Sequence, residues 1–154
     1  MKSTVNVTKV FPALYEAQMA VEKASQDAVD AAGLNPLLVD LVKVRASQIN
    51  GCAFCLRMHS QDAIKNGESA DRLAVVAAWW ESQYFDAKEQ AALTIAERIT
   101  CIGSLHTSPT PSVDIGAALT EKEIAAVISV AIAINGWNRI AIASGYPVGP
   151  LTHA

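Results

Sequence analysis

Apolar residues return every three or four positions along most of this chain. In "PALYEAQMAVEKASQDAVDAAGL" (residues 12–34), Leu14, Ala17, Ala20, Val21, Ala24, Ala28 and Ala31 fall at helical spacing, and Gly33 supplies a stop. In "NPLLVDLVKVRASQING", Asn35 is an N-cap candidate and Pro36 stands at the first helical position. Leu37, Leu38, Val39, Leu41, Val42, Val44 and Ile49 make that helix mostly apolar, ending at Asn50–Gly51. A further helix runs to about Lys65, where Asn66–Gly67 offers a left-handed stop.

Ser69 can cap "ADRLAVVAAWWESQ", and Asp86 with Glu89 forms a capping-box-like start for "AKEQAALTIAERIT". Residues 103–118 read as a loop, with Pro109 and Pro111 breaking any helix. Thr120 and Glu123 form a second capping box, opening "LTEKEIAAVISVAIAINGWNRIAIASG". That helix is apolar nearly all round, so it is expected at the centre of the fold, interrupted at Gly136 and ended at Gly145. No stretch shows clear period-2 alternation; "STVNVTKV" is the nearest to a strand. The pattern predicts an all-α fold of about six helices, with no internal repeat.

Composition narrows the setting. The chain has 154 residues, enough for one domain over residues 1–154. Its 51% hydrophobic content is rich in alanine, which suits close helix packing. A net charge of −3 and a pI near 5.5 leave no basic footprint for nucleic acid. No uninterrupted apolar run reaches the ~18 residues that span a bilayer, and "MKSTVNVTKVFP" lacks the apolar core of a secretory signal. A cytoplasmic location is the expectation. There a cysteine pair points to catalysis or metal binding before a structural disulfide.

"INGCAFCLRMHS" (49–60) carries such a pair, with His59 following. At roughly 100° per residue, Cys52, Cys55 and His59 are all within about 60° of one another on one helix face. Cys52 would lie in the first turn, where free N–H groups and the helix dipole favour a thiolate. Residues three apart on a helix meet the ~4.4–6.8 Å Cα window of a disulfide. His59 is placed to accept a thiol proton, directly or through water. Covalent haem attachment fails, because Leu56 stands where the histidine must follow the second cysteine. Zinc would need a fourth ligand, and Cys101, His106 and His153 are isolated. Buried packing is the remaining alternative, and for Cys101 it is the better reading.

"LVKVRASQINGCAFCLRMHSQDAIKNGES", "AAWWESQYFDAKEQAALTIAERIT" and "INGWNRIAIASGYP" together resemble the alkyl hydroperoxidase D-like, carboxymuconolactone decarboxylase family over about residues 35–147. The resemblance implies an all-helical homo-oligomer, a trimer or hexamer. Because both cysteines are kept, it implies the redox branch: a thiol-dependent peroxidase acting on hydroperoxides, re-reduced by an external dithiol, with no metal or organic cofactor. The family pattern makes Cys55 the attacking thiol and Cys52 the resolving one, although the helix N-terminus favours Cys52. It also places a relay glutamate twelve residues before the first cysteine. Here that position is Asp40, one methylene shorter, with His59 as the expected partner, directly or through a bridging water, and Lys43 or Arg45 as surface alternatives. Phe54 replaces a histidine of the family's relay.

Trp79, Trp80, Tyr84 and Phe85 are expected in packing or at a subunit contact before a substrate pocket, and Arg139 of the "NGWNR" stretch is expected either to pair with a carboxylate at a subunit contact or to bind a ligand. Two other classes of function remain open. One is a non-redox enzyme on a small carbonyl or lactone substrate; the other is a thiol switch or metal-binding protein without turnover.

Overall fold

The computed structural model describes residues 5–104 and 112–150. Among these the chain is all-helical. The elements are α1 (Val7–Val10), α2 (Pro12–Ala32), α3 (Pro36–Asn50), α4 (Ala53–Lys65), α5 (Ala70–Val75), α6 (Ala87–Thr100), α7 (Ile115–Ala118) and α8 (Glu121–Ala143), with 3-10 turns at Val76–Glu81 and Ile102–Ser104. Five long helices lie where the apolar periodicity places them.

The caps follow local chemistry. Asn35 Oδ1 accepts from Leu37 N at 3.0 Å, ahead of Pro36. Asp86 and Glu89 bond reciprocally at 2.9 Å each way, and Thr120 and Glu123 do so at 2.8 and 3.2 Å. Each pair satisfies N–H groups that a helix start leaves free.

α8 is the central element, packed by α2, α3 and α6. By length and composition it would also cross a membrane, yet 56% of its most apolar stretch is buried inside the molecule. Its apolarity serves the core. Ala126, Val127, Val130 and Ala131 of α8 meet Leu38, Val39 and Val42 of α3 and Ala91, Ala92, Ile95 and Ala96 of α6. Alanine at so many of these positions lets the helix axes approach closely.

Several expectations change. The strand candidate at the N-terminus instead contributes α1, because Asn6 Oδ1 accepts from both Thr8 N and Lys9 N at 3.1 Å; residues 1–4 lie outside the described residues. The fourth predicted helix breaks after Val75. Ala78 leaves helical geometry (φ −129°, ψ 38°), which turns Trp79 fully inward, where its Nε1 donates to Glu97 Oε1 at 3.0 Å. Gly136 does not interrupt α8. A Cβ there would fall 2.6 Å from the Gln18 amide, which donates to Ala133 O at 2.9 Å, so the glycine serves close packing of α2 on α8. The 103–118 loop holds the one-turn α7, capped by Asp114. Pro109, Pro111 and His106 fall outside the described residues, as does His153.

Candidate active site

The site begins at a chain reversal. Gly51 ends α3 with φ +66°, a conformation that disfavours any side chain. Gly51 N donates to Gln48 O at 3.1 Å and Cys52 N to Ser47 O at 3.0 Å, a paired closure of the helix end. The reversal delivers Cys52 as the N-cap of α4, one position earlier than a first-turn residue. Its Sγ accepts from Cys55 N at 3.4 Å. Cys52 and Cys55 are free thiols, each 1% exposed, and His59 is 8% exposed. Cys52 and Cys55 pack with Ala46, Ile134 and Ala141, and His59 is buried one turn further along α4.

The two sulfurs open in different directions. Cys55 and His59 line a cavity of about 370 Å³ together with Tyr15, Met19, Glu22, Phe54, Met58, Trp137, Ala141 and Tyr146. Cys52 borders a smaller pocket of about 180 Å³ beside Gly51, Ile142, Gly145 and Val148. Phe54 and Tyr146 border both. Their rings meet edge to face, centroids 5.2 Å apart, where the two openings adjoin, with Ala141 also lining both.

Burial sets the resting charges. It pushes the Cys55 thiol up to about 12; the neighbouring Cys52 side chain adds to the rise, and the Asn138 amide opposes it. The same desolvation, with help from Lys43, pushes His59 down to about 4, against the pull of Asp62 and Glu22. Thiol and imidazole are therefore both neutral at rest. The nearest carboxylate oxygen to His59 Nδ1 is that of Asp62 at 3.8 Å, too far for a hydrogen bond.

Asp40 is not joined to His59. It is buried on α3, where its Oδ2 accepts from Asn66 Nδ2 at 2.7 Å, just past the end of α4. Desolvation raises its carboxyl, and the Asn66 bond opposes that rise. The shorter aspartate finds an amide at bonding distance and keeps it. The surface alternatives fail too, because Lys43 pairs with Glu22 at 2.7 Å and Arg45 with Glu97 at 2.8 Å.

The "NGWNR" stretch is divided between site and scaffold. Trp137 lines the cavity, and its Nε1 donates to Glu22 Oε2 at 3.2 Å. Asn138, fully buried, donates to Ser47 Oγ at 3.1 Å and accepts from Asn50 Nδ2 at 2.8 Å. Within the chain, the Arg139 guanidinium donates back to Asn135 O and Oδ1 at 2.9 and 2.8 Å, and no carboxylate among the described residues pairs with it. Trp79 and Phe85 are core residues, and Trp80 stacks edge-on against Trp79. Cys101 is half-buried at the C-cap of α6 instead of in the core.

Tyr15, Met19 and Glu22 of α2 escaped the sequence reading. They sit on the helix face that an amphipathic pattern assigns to solvent, so periodicity gave no signal for them. Among the described residues, no group of three or more His, Cys, Asp or Glu side chains is gathered to hold a metal ion.

The carboxymuconolactone decarboxylase family profile matches residues 12–98, and the chain belongs to that family. It is 33% identical over 145 residues to an uncharacterized protein of Bacillus subtilis, YdfG, covering 94% of this chain and 96% of that one. The fold matches the crystal structure of an Agrobacterium tumefaciens protein of unknown function, proposed there to be an antioxidant-defence AhpD. The TM-score is 0.80, with 32% identity over 96% of this chain and all of that one.

Proposed function

We propose that this chain is a thiol-dependent peroxidase that reduces organic hydroperoxides through a Cys52–Cys55 dithiol–disulfide cycle. The observation that carries the reading is the placement of Cys55 and His59 on one largely apolar cavity, with the Cys52 sulfur against the Cys55 backbone. The likeness to a structure proposed as an antioxidant-defence protein supports it.

In the first step the Cys55 thiol transfers its proton to His59 as the sulfur attacks the distal peroxide oxygen. The O–O bond breaks, and the leaving alkoxide takes the proton from the imidazolium, giving an alcohol and a sulfenic acid. Transfer and attack are coupled, because neither separated charge is favoured in the resting cavity. Cys52 then condenses with the sulfenic acid, releasing water and forming the disulfide. An external dithiol reduces it by two thiol exchanges and leaves as its own disulfide. A second copy of the chain is a further partner in this proposal: Val10, Phe11, Leu14 and Met19, along α1, the α1–α2 junction and α2, are exposed apolar side chains suited to a homo-oligomer contact.

Cumene hydroperoxide consumption with excess dithiothreitol, set beside a Cys52→Ser/Cys55→Ser double variant, tests the reading. Turnover lost in the double variant is expected. Hydroperoxide turnover equal in both proteins would overturn the cysteine cycle, and absence of turnover in the wild type would overturn peroxidase function.

A further inference from the structure

Glu22 belongs to no motif, yet it is the carboxylate of the Cys55–His59 cavity. Both of its oxygens are engaged: Oε1 with Lys43 Nζ at 2.7 Å and Oε2 with Trp137 Nε1 at 3.2 Å. The ion pair is largely sheltered, with side chains 15% exposed for Lys43 and 29% for Glu22. Asp40, which the family pattern offers for the carboxylate role, does not line the cavity and is held by Asn66.

We infer that Glu22, acting through its ion pair with Lys43, is the positioning residue that sets the charge presented to His59, in place of Asp40. The inference deepens the peroxidase reading, but its geometry stands apart from any assay of turnover. The charged groups whose fields reach His59 come from three helices: Glu22 from α2, which shares its cavity, Lys43 from α3, and Asp62 from α4 itself at 3.8 Å. From α8 the cavity receives Trp137 and Ala141, which carry no charge, and Tyr15 and Tyr146 add phenols.

The physical argument is a matter of sign. A lysine ammonium behind the wall of a poorly solvated cavity opposes the imidazolium that must form there as the Cys55 proton leaves. A carboxylate at 2.7 Å from that ammonium cancels most of its field. Glu22 neither gives nor takes a proton in this scheme. It lets His59 carry one briefly, by keeping the net charge beside it close to zero. Its bond to Trp137 fixes the carboxylate on the cavity side of Lys43.

The test is an NMR titration of isotopically labelled histidine, with the His59 resonance assigned through His59→Gln. Glu22→Gln should lower the His59 midpoint by roughly half to one pH unit, because Lys43 is then unopposed. Lys43→Met should raise it by a similar amount, and Glu22→Gln/Lys43→Met should return it near the wild type. Asp40→Asn should leave it in place. An unmoved midpoint in Glu22→Gln, or an Asp40→Asn shift larger than the Glu22→Gln shift, overturns the inference.

If Glu22→Gln does not fold, Lys43→Met alone decides, since a midpoint that fails to rise removes the basis of the argument. The titration needs no peroxide, so a protein without turnover still tests it. Conversely, full turnover with an unmoved midpoint would keep the peroxidase and discard the role of Glu22.

Discussion

Trp137 Nε1 donates to Glu22 Oε2 at 3.2 Å and so ties α8 to α2 across the cavity that Cys55 and His59 share. The bond joins residues far apart in the chain, and its two ends also form the cavity wall. Trp137→Phe keeps most of the apolar wall and deletes the donor. The expected result is a loss of about 1 kcal/mol in urea unfolding, with a several-fold rise in KM for cumene hydroperoxide and a smaller change in kcat. A fall in kcat with KM unchanged would mean that the tryptophan does more than shape the cavity.

Cys55 should behave as an unusually reluctant thiol in the resting protein. Its pKa is pushed up to about 12 by burial and by the Cys52 side chain, so the thiolate fraction climbs roughly tenfold per pH unit well past neutrality. In a Cys52→Ser/Cys101→Ser protein, where burial, the largest cause, still holds the thiol up, iodoacetamide labelling followed by mass spectrometry should accelerate throughout pH 7 to 10. A plateau near pH 8 would contradict that elevation.

The cap at Cys52 separates two substitutions that are often treated as equivalent. Serine keeps a side-chain acceptor for the Cys55 N–H, whereas alanine removes it, at a typical cost of about 1 kcal/mol for a lost N-cap. Cys52→Ser should therefore melt close to the wild type and Cys52→Ala below it, by differential scanning calorimetry. On peroxide treatment Cys52→Ser should accumulate a sulfenic acid at Cys55, because that sulfur shares its cavity with His59. Sulfenic acid forming only in Cys55→Ser would reverse the assignment.

His59 gives the fold an acid sensitivity. Its pKa falls from 6.5 in the unfolded chain to about 4 in the folded one, so the unfolded state binds the extra proton between those values. Stability from this group is complete above pH 6.5 and is lost as the pH drops toward 4. The full displacement corresponds to about 3 kcal/mol. Asp40 works the other way, since its raised carboxyl favours the folded state on protonation. The comparison must therefore be between wild type and His59→Gln. The variant should lose less stability between pH 7 and pH 4.5 in urea titrations, and equal losses would contradict the shift.

The long helices and both capping boxes were legible because periodicity and cap chemistry are local. So was the grouping of Cys52, Cys55 and His59, which depends only on helical geometry between residues 52 and 59. What failed depended on contacts between distant segments. The family spacing points Asp40 at His59, but nothing local reveals that the Asn66 amide lies 2.7 Å from its Oδ2 and takes that oxygen. Glu22 belongs to no pattern on α2, and only the approach of α3 and α8 makes it part of a cavity. Gly136 read as a break for the same reason, since nothing local reveals that Gln18 fills the space a Cβ would need.

The edge-to-face pair of Phe54 and Tyr146 has a kinetic reach beyond its packing. In the proposed cycle, peroxide arrives at Cys55 through one opening, while the other leads an incoming thiol toward the buried partner sulfur. Two reactants with separate doorways do not compete for a seat. Raising either concentration would then not inhibit the other half-reaction, and double-reciprocal plots at several reductant levels would run parallel.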